Sequence, residues 1–196
     1  MQREPSTDAD HRRTPIVPRR VEPGEFTPDP TGPALAVERS LGRAVLIRRP
    51  APGQPADRLL TEAAILAWLE HPGIIPVHAL CADDDGPFLV LRRIRGSPWS
   101  RDIGGQDRAA AAAIVARVAE IVAYAHSRGA VHRDLRPGAV LIGGFGEVVV
   151  MGWDQAVAID PVAPCPPATD APPAVGSAAA WAPEVAAGDG PRTGTA

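Results

Sequence analysis

The chain has 196 residues with a formal net charge of -3 and a sequence pI near 5.9, so neither nucleic acid nor an anionic membrane is expected as a partner. Apolar residues make up 45% and charged residues 22%, the balance of a globular domain, while 23 prolines and 19 glycines reserve much of the chain for loops. All 20 basic residues are Arg, and Lys and Asn are absent, which excludes any mechanism that requires either side chain.

Residues 1–33 combine proline and charge without periodicity and are read as a mostly disordered segment. The basic stretch HRRTPIVPRR inside it is read as a solvated tail. Ordered structure is expected from about Ala34, where ALAV (34–37) and AVLIR (44–48) flank the turn signal SLGR as a hairpin. A helix follows from Asp57, read as its cap, through Glu70, with Leu59, Ala63 and Leu66 on one face and HPG as its stop. IIPVHALCA and PFLVLRRI around DDDG make a second hairpin. From Asp107 to His126 an Ala-rich helix, expected to be strongly amphipathic, carries the stripe Ile114, Val118, Ile121, Val122 and Ala125, with Gly129 beyond its end. AVLIG and EVVVM form a third hairpin, and DPVAPCPPATDAPPAV is an irregular loop. No apolar run looks long enough to span a bilayer, no signal sequence is visible, and Cys81 and Cys165 fall in no metal-ligand spacing. A reduced, cytoplasmic protein is expected.

These pieces come in a familiar order. TEAAILAWLEHPGIIPVHAL, AYAHSRGAVHRDLRP, GFGEVVVMGW and WAPE together resemble the bacterial Ser/Thr protein kinases. The resemblance implies an α+β, protein-kinase-like fold in which a small β-rich N-lobe (34–95) carries the αC helix. The C-lobe (96–196) includes a Pro-rich activation segment at 157–181. The chain ends 12 residues after Glu184, so an incomplete helical C-lobe is expected, with the helix at 107–126 uncovered as a surface for a protein partner or self-association.

The resemblance also assigns roles. Asp134 matches the catalytic-loop base, and His132 and Arg133 match positions that shape that loop. Glu62 matches the αC glutamate, Arg48 stands where the phosphate-gripping Lys belongs, and Leu46 and Leu141 match the roof and floor of a nucleotide cleft. Two Mg²⁺ ligands are replaced: Ala139 stands for Asn, and Gly152 for the Asp of the DFG or DWG turn. The acid appears two residues later, as Asp154 of GWD. In an extended chain that shift moves the carboxylate by roughly 6.6 Å, and Mg²⁺ requires oxygens at about 2.0 to 2.1 Å, so Asp154 is a metal candidate only if the turn is rebuilt. PDPTGPALAVE offers one Gly and three Pro where a glycine-rich phosphate loop belongs. Three readings follow: a catalytically impaired kinase-like protein acting by binding, an active kinase using ATP, Mg²⁺ and Asp134, and a remnant without activity. Thr169 and Ser177 are the acceptors for any self-phosphorylation.

Overall fold

The computed structural model describes residues 16–32 and 34–167, so the WAPE segment, Thr169 and Ser177 lie outside the described residues. The chain begins with β1 (Arg19–Arg20) and β2 (Phe26–Pro28), followed by the hairpin β3 (Leu35–Glu38) and β4 (Arg43–Arg48). Helix α1 (Asp57–Trp68) leads to the hairpin β5 (Val77–Asp83) and β6 (Gly86–Arg92). These six strands form one sheet in the order β1-β5-β6-β4-β3-β2, antiparallel except where β1 joins β5. After β7 (Gly96–Pro98) and the short α2 (Trp99–Asp102), α3 (Arg108–Ser127) is the only long helix of the second lobe among the described residues. Then come β8 (Ala130–Val131), β9 (Val140–Gly143), β10 (Val148–Val150) and β11 (Val157–Ala158), with 3₁₀ turns at Pro137–Ala139 and Trp153–Gln155. The architecture is α+β, as the sequence implies.

The expected start near Ala34 is corrected. β2 pairs with β3, and Val21 and Phe26 pack on the outer sheet face against Ala36, Val45, Cys81, Phe88 and Val90. The Phe26 and Phe88 rings meet edge to face at 5.8 Å. Two apolar side chains and a strand edge are enough to order a segment whose composition reads as tail. Its arginines also find partners, Arg19 with Glu25 at 2.5 Å and Arg20 with Asp84 at 2.9 Å.

Helix α1 buries Leu59, Glu62, Ala63, Ile65 and Leu66, the face that the spacing predicts, with a carboxylate in the middle of it. Asp57 is not its cap: Ala56 holds that position without a side-chain hydrogen bond, and Asp57 is the first helical residue, where its charge still favours the positive helix end. Asp107 does cap α3, accepting from the Ala110 N–H at 2.7 Å. On α3 only Val118, Ile121 and Ala125 are buried; the opposite side is mostly alanine with Val115, Arg117 and Glu120 rather than a charged face. The expectation of strong amphipathicity is therefore corrected. So is that of no span-length apolar run, since this 20-residue helix is long and apolar enough to cross a membrane by length and composition. Here its buried stripe packs on β8 and β10.

The two lobes share one core. Leu59, Ile65, Leu66, Leu89 and Leu91 from the sheet side join Val118, Ile121, Val149 and Trp153 from the other in a continuous apolar cluster. The segment after α1 stitches them together: Val150 N–H donates to Gly73 O at 2.7 Å and Ile75 N–H to Val150 O at 3.3 Å.

At Gly96, where the interlobe segment enters β7, a Cβ would collide with the Ile142 carbonyl oxygen and stand 2.7 Å from Gly143 Cα, both backbone atoms of the paired strand. Gly96→Ala is therefore expected to cost roughly 1 to 3 kcal/mol through overpacking, read as a melting-temperature drop of several degrees, whereas Gly144→Ala, with only a 3.5 Å neighbour, should cost less.

Candidate functional site

Three elements converge at the cleft between the lobes. β4 ends at Arg48, opposite Leu89 of β6, so its side chain leaves the sheet towards α1. Helix α1 supplies Glu62 from its buried face, and the 3₁₀ turn at Trp153–Gln155 supplies Asp154. Arg48 Nε lies 2.9 Å from Glu62 Oε2, and Arg48 Nη2 donates to Asp154 Oδ1 at 2.9 Å. One planar guanidinium thus joins two carboxylates from different elements, using its fixed fork as an ammonium could not. This is no surface ion pair, since the Glu62 side chain is 1% exposed.

The GWD order has a backbone cause. Gly152 adopts φ 79°, ψ 48°, the left-handed region that favours glycine, and the chain then turns so that Trp153 enters the core while Asp154 faces Arg48. The turn is rebuilt, as the shifted acid requires, but the group it meets is the arginine. Trp153 is fully buried, donates from Nε1 to Val150 O at 3.3 Å, and packs edge to face on His132 at 4.6 Å. Asp154 Oδ2 accepts from Gln155 Nε2 at 3.1 Å, so both its oxygens are engaged.

His132 is structural. Its Nε2 lies 2.9 Å from the Met151 carbonyl, and its Nδ1 accepts the Asp134 N–H at 3.2 Å. A carbonyl can only accept, so Nε2 carries the proton and the ring is neutral; burial pushes its pKa down in agreement. The ring therefore ties the catalytic-loop backbone to the end of β10. Asp134 itself is half-buried and pairs with Arg136 Nε at 3.1 Å, a partner that the motif comparison did not pick out. Arg133 has φ 66°, an uncommon backbone for a side-chain-bearing residue, at the bend between the two.

Burial raises the Glu62 pKa from 4.5 to about 7, against the opposing pull of Arg48 and with a smaller push from Asp154; the Trp153 main chain slightly favours the charged form. Neither Glu62 oxygen meets hydrogen-bond geometry, so its charge rests on the ion pair.

A Mg·ATP complex does not fit these residues. Ala139 is buried and carries no ligand atom, Asp154 is held by Arg48 and Gln155, and the described residues contain no cluster of three or more His, Cys, Asp or Glu side chains disposed around a metal. The phosphate loop is also closed. Asp29, Gly32 and Leu35 direct their N–H groups to carbonyls of the same turn, and Thr31 N–H donates to the Asp29 carboxylate at 2.8 Å. Pro30 and Pro33 have no N–H. Leu46 and Leu141, the expected roof and floor of a nucleotide cleft, are half-buried and pack against the shared core. The contacts that sequence reading missed are Arg136 on Asp134 and Arg93 on Asp29. The second had a local signal, since PDPTG is an Asx-turn pattern, but its partner lies 64 positions away.

The raised Glu62 pKa fixes the sign of a pH effect. The folded state holds that proton more tightly than the unfolded chain, so the contribution is full below 4.5 and is lost as pH rises through about 7. Arg48→Ala removes the cation that pairs with Glu62 among the described residues. Its destabilisation is expected to approach the roughly 3 to 5 kcal/mol of a broken buried pair at pH 8 and to shrink at pH 6, where the carboxyl takes up a proton. Denaturant titration at the two pH values checks this, and Glu62→Gln should flatten the difference.

The family model described as the protein kinase domain matches residues 45–193, most of the chain. The serine/threonine-protein kinase PknD of Chlamydia muridarum (strain MoPn / Nigg) is 35% identical over 114 residues, covering 51% of this chain and 12% of that protein. The protein of the same name from Chlamydia felis (strain Fe/C-56) is 37% identical over 114 residues, with the same coverage. The chain thus spans 12% of the length of these relatives. With the two-lobed fold, the αC-type glutamate and the HRD loop in place, this chain belongs to the protein kinase domain family.

Proposed function

We propose that this domain is a kinase-like module that has exchanged metal-dependent phosphoryl transfer for binding or regulation, in a reduced cytoplasmic setting. The observation that carries the reading is Arg48 joined to both Glu62 and Asp154. In this family a lysine and metal ions share the neutralisation of phosphate, and every piece must be in place for the transition state. Here one guanidinium neutralises the two acids instead, Ala139 provides no second ligand, and the loop amides face inward. Losing a single preorganised electrostatic contact costs roughly 10² to 10³ in rate, so several such losses put turnover far below the usual ~1 to 100 s⁻¹.

Asp134 and the Arg48–Glu62 pair favour a second reading, an ATP-dependent Ser/Thr kinase with an altered metal site, because base and lobe-aligning pair persist. One assay separates the two. Under the first, transfer of labelled phosphate from Mg·ATP to generic substrates or to the chain itself is indistinguishable from that of Asp134→Ala. A signal that Asp134→Ala abolishes establishes the second. In parallel, ATP is expected to leave the melting temperature nearly unchanged whether or not Mg²⁺ is added, and a Mg²⁺-dependent rise would mean that Asp154 leaves Arg48 for the metal.

For the binding role, the exposed side of α3, with Val115 53% accessible among alanines, is the proposed protein-contact surface. Val115→Arg is expected to abolish any concentration-dependent gain in mass seen by light scattering, at little cost in stability because the side chain is exposed. Unchanged association in that variant would move the surface elsewhere.

A further inference from the structure

Strands β1 and β2 lie at opposite edges of the six-stranded sheet, so residues 21–25 between them cross its outer face as an arch. Both feet are fastened. Val21 N–H donates to Ala82 O at 3.1 Å, Arg39 N–H donates to Glu25 O at 3.0 Å, and Arg19 Nη1 and Nη2 grip the two Glu25 oxygens at 3.1 and 2.5 Å. Val21 and Phe26 pack down on the sheet, and beside them remains a cavity of about 600 Å³, within the roughly 300 to 1,000 Å³ of ligand sites. Ile47 and Phe88 belong to the strand face opposite Arg48 and Leu89, so this cavity, floored by Phe26, Ile47 and Phe88, lies away from α1 and the Arg48 bridge.

The mouth of the cavity is acidic. Asp83, Asp84 and Asp85 stand at the β5–β6 turn and Glu22 on the arch, with Arg20 and Arg49 as the cations of the lining. Arg49 takes Asp83 at 3.0 and 2.5 Å, and Arg20 takes Asp84 at 2.9 Å. The carboxylates of Glu22 and Asp85 enter no ion pair among the described residues, which leaves a negative charge on the arch and another on the turn. Arg49 shows what such a place accepts. Its guanidinium lies 4.6 Å from the centre of the Phe88 ring while its fork holds Asp83, so one side chain uses the aromatic floor and an acid of the rim together. The Arg20–Asp84 pair is of another kind: its side chains are 80% and 93% exposed, and a competing cation can displace it.

We propose that this cavity docks an arginine-bearing peptide segment of a partner protein, its guanidinium meeting Glu22 or Asp85 and an apolar neighbour lying on Ile47 and Phe26. The charge balance of the rim selects a cation. The aromatic floor selects a planar one on an aliphatic stem over a bare ammonium. The surface lies on the other lobe from the exposed side of α3, so it is a second contact, and it does not rest on the loss of phosphoryl transfer.

The test follows the fluorescence anisotropy of a labelled nonapeptide of alternating arginine and leucine, titrated with the full chain. Binding is expected to weaken with added salt, and by roughly 10-fold or more when citrulline, a neutral isostere, replaces the arginines, since the charge-assisted contact is then lost. Glu22→Gln and Asp85→Asn are each expected to weaken it roughly 2- to 5-fold, the range of an exposed ion pair, and together further. Glu120→Gln, which removes the same charge from α3, is expected to leave binding unchanged. All three side chains are exposed, so melting temperatures stay level and a loss of binding is not a loss of fold. The peptide is also expected to slow hydrogen exchange in residues 21–26 and 83–88 and not in α3. Absence of binding, equal binding of the citrulline peptide, or an equal loss in Glu120→Gln would overturn the proposal. So would a dimer of the chain, formed without peptide, that the Glu22 and Asp85 substitutions break, since the cavity then belongs to a second copy.

Discussion

The cleft depends on a buried carboxylate whose charge must be matched, by a cation or by a proton. Glu62 sits in the apolar face of α1, where an uncompensated charge would be costly; β4 delivers a guanidinium to it, and below about pH 7 a proton relieves the same charge. Once Arg48 is committed to that task, the rest of its fork points along the cleft, and a second acid is favoured there. Asp154 occupies that place. The left-handed Gly152, the buried Trp153 and the neutral His132 then form the scaffold that keeps Asp154 within reach. The geometry joins β4, α1 and the Trp153–Gln155 turn through one guanidinium.

An arginine in this position is not a larger lysine. An ammonium makes a point contact, whereas the Arg48 guanidinium engages two carboxylates at once, Glu62 through Nε and Asp154 through Nη2. The same logic recurs at Arg93, which joins two groups of one turn, and at Arg49, which pairs with Asp83 while lying 4.6 Å over the Phe88 ring. With arginine as the only long cation, contacts that elsewhere would be mobile become planar and fixed.

Much of the fold was legible because its signals are local. The hairpins 35–48 and 77–92 follow from apolar runs around short polar turns, and the buried face of α1 from its spacing. The boundaries of the sheet were less visible, since Val21 and Phe26 order their segment only through contact with strands far along the chain. For the site, Arg48, Glu62 and Asp134 could be placed by motif, but the meeting of Arg48 with Asp154 spans 106 positions and depends on one backbone dihedral at Gly152. Sequence spacing read in an extended geometry put the acid too far away; the turn brings it back. The character of α3 was misjudged because its apolar stripe was visible while the alanines of its other face were not weighed as exposed surface.

The left-handed glycine also shapes which sequences lie near this one. An acid introduced at position 152 while Asp154 remains would bring a second carboxylate to a turn whose backbone resists any side chain, and would confront one guanidinium with three acids. Removing Asp154 first leaves Arg48 with Glu62 and half its fork empty. Each single step towards the commoner order of acid and glycine is therefore unfavourable by itself, for different physical reasons, and only the paired exchange avoids both. The left-handed Gly152 and the Arg48 bridge thus support each other in holding the GWD order.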